Sequence, residues 1–192
     1  ERVDELLQAA LSLPKQSREK KKELEKQKEE LHRSHHRLAQ KAAEESMVLL
    51  KNEAELLPLT AGTWVAVIGD FAFEPRYKGV GSSSVNTISV ENVVEKISDT
   101  DLMVVGMERG YRRDGKADYN LEAQALELAS KAEVILYFLG LGETEESEGL
   151  DRKNFEIPQN QISLLQKLTE KNPAIVAVLS TGSVVDIGWK ID

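Results

Sequence analysis

Four short runs rich in Val, Ile and Leu, at 64–69, 102–106, 134–140 and 175–180, constrain this chain most. None of them alternates strictly between apolar and polar residues, so each reads as a strand buried on both faces. Helical patterns lie between them at about 90–97, 119–132 and 159–171. Strand–helix–strand alternation at this spacing requires a parallel sheet with right-handed crossovers. The expected fold is α/β: an open, mostly parallel sheet sandwiched by helices, with a flavodoxin-like or Rossmann-like topology and a helical linker before it. Ligands of such sheets bind beyond the carboxyl ends of the strands. The loops of interest are therefore 70–88, 107–118, 141–158 and 181–189.

The N-terminal part has a different composition. Residues 1–13 place Val3, Leu6, Leu7, Ala10 and Leu11 at helical spacing, and Pro14 is expected to interrupt that segment. Residues 15–33 are almost all charged, mix both signs, and contain no Gly or Pro, which reads as a solvated helix held by i,i+4 pairs. Leu24, Leu31 and Leu38 recur every seven residues. One apolar residue per heptad is half of what a coiled-coil seam needs, so a helical connector is the plainer reading. His32 and His36 would share a helix face, as metal ligands can, but no carboxylate is committed to them, and surface histidines are the expectation. Residues 38–50 read as an amphipathic helix ended by Asn52 and Pro58.

Composition removes several classes of function. The net charge of -8, from 25 Lys and Arg against 33 Asp and Glu, argues against nucleic acid and anionic membrane as partners. With no cysteine, disulfide scaffolds, thiolate metal sites and cysteine nucleophiles are excluded. No apolar run approaches the roughly 18 residues that span a bilayer. The first residue is Glu1, and an excised piece of a longer protein is expected.

Two loops hold the candidate chemistry. Loop 70–88 carries Gly79 and Gly81, but a dinucleotide fingerprint would need glycine where Ser84 stands, and no Walker lysine follows. The same loop carries Arg76, Tyr77, Lys78, Ser82, Ser83 and Asn86, which can hydrogen-bond a sugar or another polar ligand, or merely satisfy the backbone of an Ω-loop. Loop 141–158 carries Glu143, Glu145, Glu146, Glu148 and Asp151. Four readings stay open for it: a hard-cation site (though calcium-loop spacing is absent), a general acid or base, a surface for a basic partner, or a solvated loop. Asp151 and Arg152 are expected to form an internal ion pair.

The order of segments carries a resemblance. HHRLAQKAAEESMVLLKNEAELLPL (35–59) is similar to the entry into the C-terminal α/β domain of glycoside hydrolase family 3. VAVIGDFA (65–72), PRYKGVGSSSVN (75–86), GY (110–111), ESEGLDR (146–152), IPQNQISLL (157–165) and VLSTGSVVDIGW (178–189) follow in that family's order, and the form resembles its β-glucosidases. The resemblance divides the chain into 1–34, a helical linker or tail of a missing N-terminal TIM barrel, and 35–192, the α/β sandwich domain, expected to be truncated at its C-terminus. It implies a retaining two-carboxylate mechanism with an aspartate nucleophile on the barrel and a glutamate acid/base on the α/β domain. The acid/base falls on Glu148, the glutamate before glycine in ESEG, with Glu146 as runner-up. Arg76, Lys78, Ser82 and Ser83 match a loop that borders the substrate pocket. No metal or organic cofactor is implied.

The partners implied are a β-glucoside and the barrel of the same polypeptide. No segment here resembles that barrel, and the charged run 15–33 matches nothing in the family. The function expected is therefore the acid/base half of an enzyme acting on terminal non-reducing β-D-glucosyl residues. The alternatives are a family 3 β-xylosidase and a non-catalytic glycan-binding or protein-interaction module. The acid/base role needs a raised pKa, which closure against the barrel could supply. In the chain alone, Glu148 is expected to be exposed with an ordinary carboxylate pKa.

Overall fold

The computed structural model of the protein describes residues 2–53, 55–143 and 145–188, with the backbone alone at 13–16. It falls into two compact units, residues 1–52 and 53–192. The first is one α-helix, α1 (Arg2–Ser46). It runs through position 14 without the expected interruption. Proline removes a single i→i−4 hydrogen bond, and the strong helix formers on both sides outweigh that local loss. Leu24, Leu31 and Leu38 are exposed along it. The helix stops at Ser46, four residues before the sequence pattern ends, and Met47, Val48, Leu49 and Leu50 are all more than half exposed. An apolar stripe favours a helix mainly when it has a surface to pack on. No helix among the described residues is long and apolar enough to cross a membrane.

The second unit is the α/β domain. Its strands are β1 (Trp64–Ile68), β2 (Met103–Glu108), β3 (Val134–Gly140) and β4 (Ile175–Ser180), in the order β2-β1-β3-β4, all parallel. This is the flavodoxin-like order. Strand β2 runs two residues beyond the expected end. An irregularity after Val65 skips one residue of β2, and the pairing then carries on to Ile68 opposite Glu108.

Helices cover both faces. On one, α4 (Tyr119–Ala129) and α5 (Gln159–Lys171) contribute Ala125, Leu128, Leu164 and Leu168 against Ile68, Ile135, Tyr137 and Leu139. On the other, α2 (Asp70–Phe73), α3 (Val93–Lys96) and the 3-10 turn Ile97–Asp99 pack Ala72 and Ile97 with Val65, Val67, Val134 and Leu136. Side chains set the helix ends. Asn92 accepts the Glu95 N–H at 2.8 Å, and Asp118 accepts those of Asn120 and Leu121 at 3.2 and 3.1 Å. Helix α4 ends before the expected 132, because the Lys131 N–H turns back to the Leu128 carbonyl at 3.0 Å.

Two devices shape the carboxyl edge. Gly69 follows β1 at φ 123, and a Cβ there would stand 2.0 Å from the Phe138 carbonyl oxygen, so only glycine allows β3 this close. Gln161 on α5 is fully buried. Its amide donates to the Gly140 carbonyl at 3.0 Å and accepts the Gly140 N–H at 2.8 Å. It thereby pins the end of β3 where the acidic loop begins. Gln161→Leu removes both partners while keeping the volume. It should lower stability by about 2 kcal/mol or more, since a buried backbone group left unsatisfied costs ~1–3 kcal/mol. Urea denaturation checks this against Gln159→Leu, at an exposed position of the same helix, where the change should stay within about 0.5 kcal/mol.

Candidate active site

The strand order decides which loops meet. From β1 the chain goes to β2 on one side, then crosses to β3 on the other, so the direction of winding reverses between β1 and β3. At such a switch point the two following loops diverge and leave a crevice. Here they are 70–88 and 141–158, the two with the candidate side chains.

Glu148 is exposed and bonded across this crevice. Its Oε2 accepts the backbone N–H of Ser82 at 2.7 Å and the Ser82 hydroxyl at 2.5 Å. Gly81, at φ 88, makes room for it, because a Cβ there would lie 2.7 Å from the same oxygen. The exposure agrees with the sequence reading, but the ordinary pKa does not. The Ser82 hydroxyl, then the Ser82 N–H, favour the ionised form and hold the carboxyl below its usual value.

Glu146 has a different setting two residues earlier. Its side chain is only 9% exposed, and that of its ion-pair partner Arg76 only 11%. Arg76 also donates to the Leu141 carbonyl at 3.1 Å and to the Glu146 carbonyl at 3.3 Å. From the loop after β4, the Gly182 N–H reaches Glu146 Oε2 at 3.0 Å and the Ser183 hydroxyl donates to Oε1. Burial alone would push this carboxyl up, but Ser183, Gly182 and Arg76 together hold it below the usual range. Arg152 does not make the expected pair with Asp151. It donates instead to the Ser183 hydroxyl at 2.8 Å and to the Val184 carbonyl, because those acceptors converge on it from the β4 loop.

The other candidate sugar contacts are partly occupied. Lys78 donates to the Val85 carbonyl at 3.2 Å and lies 5.6 Å from the Tyr77 ring centre. Ser83 folds back over Gly79, where a Cβ would collide with its hydroxyl. Trp189, the last residue of the resembling segments, lies outside the described residues.

One cluster escaped sequence reasoning. Asp70, nearly buried at the end of β1, pairs with Arg109 and with Arg113 at 2.7 Å. Arg109 also reaches Glu74 at 2.8 Å, and the guanidinium of Arg113 lies 4.4 Å from the Phe71 ring centre. Arg113 further meets Glu143 at 3.3 Å. A cavity of about 340 Å³ opens beside these groups, lined by Phe73, Tyr77, Val90, Asn92, Arg113 and Glu143. The available signal was an acid right after β1 and an arginine-rich turn after β2, which the adjacency of those strands unites.

The chain matches the pattern of the glycosyl hydrolase family 3 C-terminal domain over residues 47–192. The thermostable beta-glucosidase B of Acetivibrio thermocellus is 41% identical over 159 residues, covering 81% of this chain and 21% of that protein. The exo-alpha-(1->6)-L-arabinopyranosidase of Bifidobacterium breve is 39% identical over 164 residues, covering 80% of this chain and 22% of that protein. The crystal structure of the GH3 beta-glucosidase of Bifidobacterium adolescentis superposes with a TM-score of 0.76 at 42% identity, over 82% of this chain and 23% of that one. The chain thus spans about a fifth of the length of the curated relatives it matches.

The Ser82–Glu148 bonds fix the sign of a titration experiment. Ser82→Ala removes the hydroxyl donor but keeps the N–H, so the Glu148 pKa should rise toward the ordinary value without passing it. Carboxyl carbon NMR of the chain across pH 2–7 reads this directly. An unchanged or lower value would mean that the hydroxyl bond does not form.

Proposed function

We propose that this chain, which belongs to glycosyl hydrolase family 3 through its C-terminal domain, is the acid/base-bearing part of a retaining β-glucosidase acting on terminal non-reducing β-D-glucosyl residues. The observation that carries the reading is the contrast between two carboxylates in one loop. Glu146 is nearly buried and engaged by Arg76, Gly182 and Ser183, whereas Glu148 stands exposed at the switch-point crevice. Only the second can reach a substrate.

In this reading the nucleophile comes from a barrel domain elsewhere in the whole protein. Glu148 protonates the glycosidic oxygen as the bond breaks, and then takes a proton from the water that releases the sugar. The acid step needs a protonated Glu148, while the Ser82 bonds favour the anion. A second carboxylate about 5–5.5 Å away, together with exclusion of water on closure, would raise its pKa to suit. Arg76 acts from behind through Glu146, and Lys78, Ser82 and Ser83 border the sugar. A second reading, a family 3 pentosidase such as a β-xylosidase, draws support from the arabinopyranosidase, whose identity of 39% nearly equals the 41% of the glucosidase. The two differ in how the site receives the exocyclic hydroxymethyl group, and rates on aryl β-glucosides against aryl β-xylosides separate them.

In the whole enzyme, Glu148→Ala should depress kcat by a factor of ~10² or more on glycosides with poor leaving groups. It should nearly spare glycosylation from an acidic phenol, which needs little protonation. Added azide should restore deglycosylation, because an anionic nucleophile needs no general base. The same pattern from Glu146→Ala, with Glu148→Ala lacking it, would reassign the acid/base. The 192-residue chain by itself should turn over no aryl β-glucoside, and turnover that Glu148→Gln abolishes would overturn the two-domain reading.

A further inference from the structure

We propose that Glu146 is the positioning residue of the acid/base, a buried anchor that sets where Glu148 stands; this rests on the reading of Glu148 given above. Three loops converge on the one carboxylate. Arg76 comes from the loop after β1, Gly182 and Ser183 from the loop after β4, and Glu146 itself belongs to the loop after β3. Arg76 grips that third loop at two further points, the carbonyls of Leu141 and Glu146, so the segment between them is clamped at both ends. The outer side of the clamp is braced in turn. Arg152, just past the acid/base, donates at 2.8 Å to the same Ser183 hydroxyl that donates to Glu146.

One residue, Ser147, separates the anchor from Glu148. The next turn closes with the Leu150 N–H on the Ser147 carbonyl at 3.2 Å. With Glu146 fixed, the Glu148 backbone has little room to move. The spacing on the opposing loop is matched: Arg76 receives Glu146, and six residues on Ser82 receives Glu148. Two carboxylates thus fasten one loop to another, the buried one by charge and the exposed one by hydrogen bonds that a substrate can displace. Gly182 contributes its lack of a side chain, since a Cβ there would stand 3.2 Å from Glu146 Oε2 and crowd the anchor. Glu146 touches no substrate in this scheme. It acts through Glu148.

The test uses Glu146→Gln, with Ser183→Ala as a milder lesion that withdraws one donor and keeps the ion pair. In the 192-residue chain, Glu146→Gln removes a negative neighbour, which alone would lower the Glu148 pKa. Loss of positioning frees Glu148 from Ser82 and raises it. Carboxyl carbon NMR should show a rise, and a fall or no change would overturn the proposal independently of any catalytic role. In the whole enzyme, kcat per folded molecule, with the folded fraction taken from circular dichroism, should fall by about 10²-fold for Glu146→Gln, the scale of a displaced catalytic group. The loss for Ser183→Ala should be about threefold to tenfold. Both losses should come with a shifted pH profile and without azide rescue. Azide rescue with leaving-group dependence would make Glu146 the acid/base itself. An unchanged pH profile and kcat per folded molecule, in either variant, would reduce it to a stabilising ion pair. If Glu148→Ala lacks its own leaving-group signature while the NMR shift in the chain appears, the enzymatic reading fails and the positioning role stands.

Discussion

The pairing of β1 with β3 governs everything at the carboxyl edge. These are the two central strands, and Gly69 lets the Phe138 carbonyl come close where they end. Because the winding reverses between them, the loop after each is free to diverge, and side chains far apart in sequence face each other. Glu148 and Ser82 are 66 residues apart, and Glu146 and Arg76 are 70 apart. Neither contact would exist had β2 been inserted between β1 and β3. The apolar face beneath is built to hold that pairing. Tyr137 of β3 donates its hydroxyl to the Gln161 carbonyl at 2.8 Å, and Tyr111 does the same to Phe138, with the two rings edge-on at 6.2 Å.

Much of this was legible in the sequence, for identifiable reasons. Strands buried on both faces leave an unbroken apolar signature, so β1, β3 and β4 were placed to within a residue. The acidic loop 141–158 was visible as a cluster of five carboxylates, but its composition left four readings open; the order of motifs, not the cluster, pointed to the family that the chain belongs to. Strand order was not legible, since apolar periodicity says which residues are buried but not beside which strand. For the same reason Asp70, Arg109 and Arg113 went unnoticed: their partnership exists only because β1 and β2 are neighbours. The end of α1 was misjudged because the amphipathic pattern of 38–50 was read as helix throughout, although helix formation depends on packing and Met47, Val48, Leu49 and Leu50 are more than half exposed.

The two glutamates show how one loop can give the same residue type opposite surroundings. Sequence sets them two positions apart and chemically identical. What separates them is solvent and donors. Glu146 is largely shielded from solvent and meets a guanidinium, a backbone N–H and a hydroxyl. A buried anion so compensated is stable where it is, and removing one partner would leave the others with an unpaired charge. Its carboxyl is held below the ordinary value, so the stability it adds is present above the usual carboxylate range and is lost as pH falls through the folded-state value. Glu148 is exposed and has two donors from a single residue.

That difference bears on how a domain of this kind could supply a proton at all. On the proposed reading the acid must be protonated at the start of the reaction, yet the Ser82 bonds pull Glu148 toward the anion. Each unit of pKa corresponds to about 1.4 kcal/mol of preference between the two forms. Position and protonation are therefore set by different parts. On that reading the α/β domain would fix where the carboxyl stands, through Glu146 and the loops that meet it. The protonated state has to come from whatever closes over the crevice, by stripping water from an exposed carboxyl and setting a second negative charge near it. A glycosidic oxygen that took the place of the two Ser82 donors can only accept a hydrogen bond, so on this reading binding itself would move Glu148 toward the protonated form that the first step consumes.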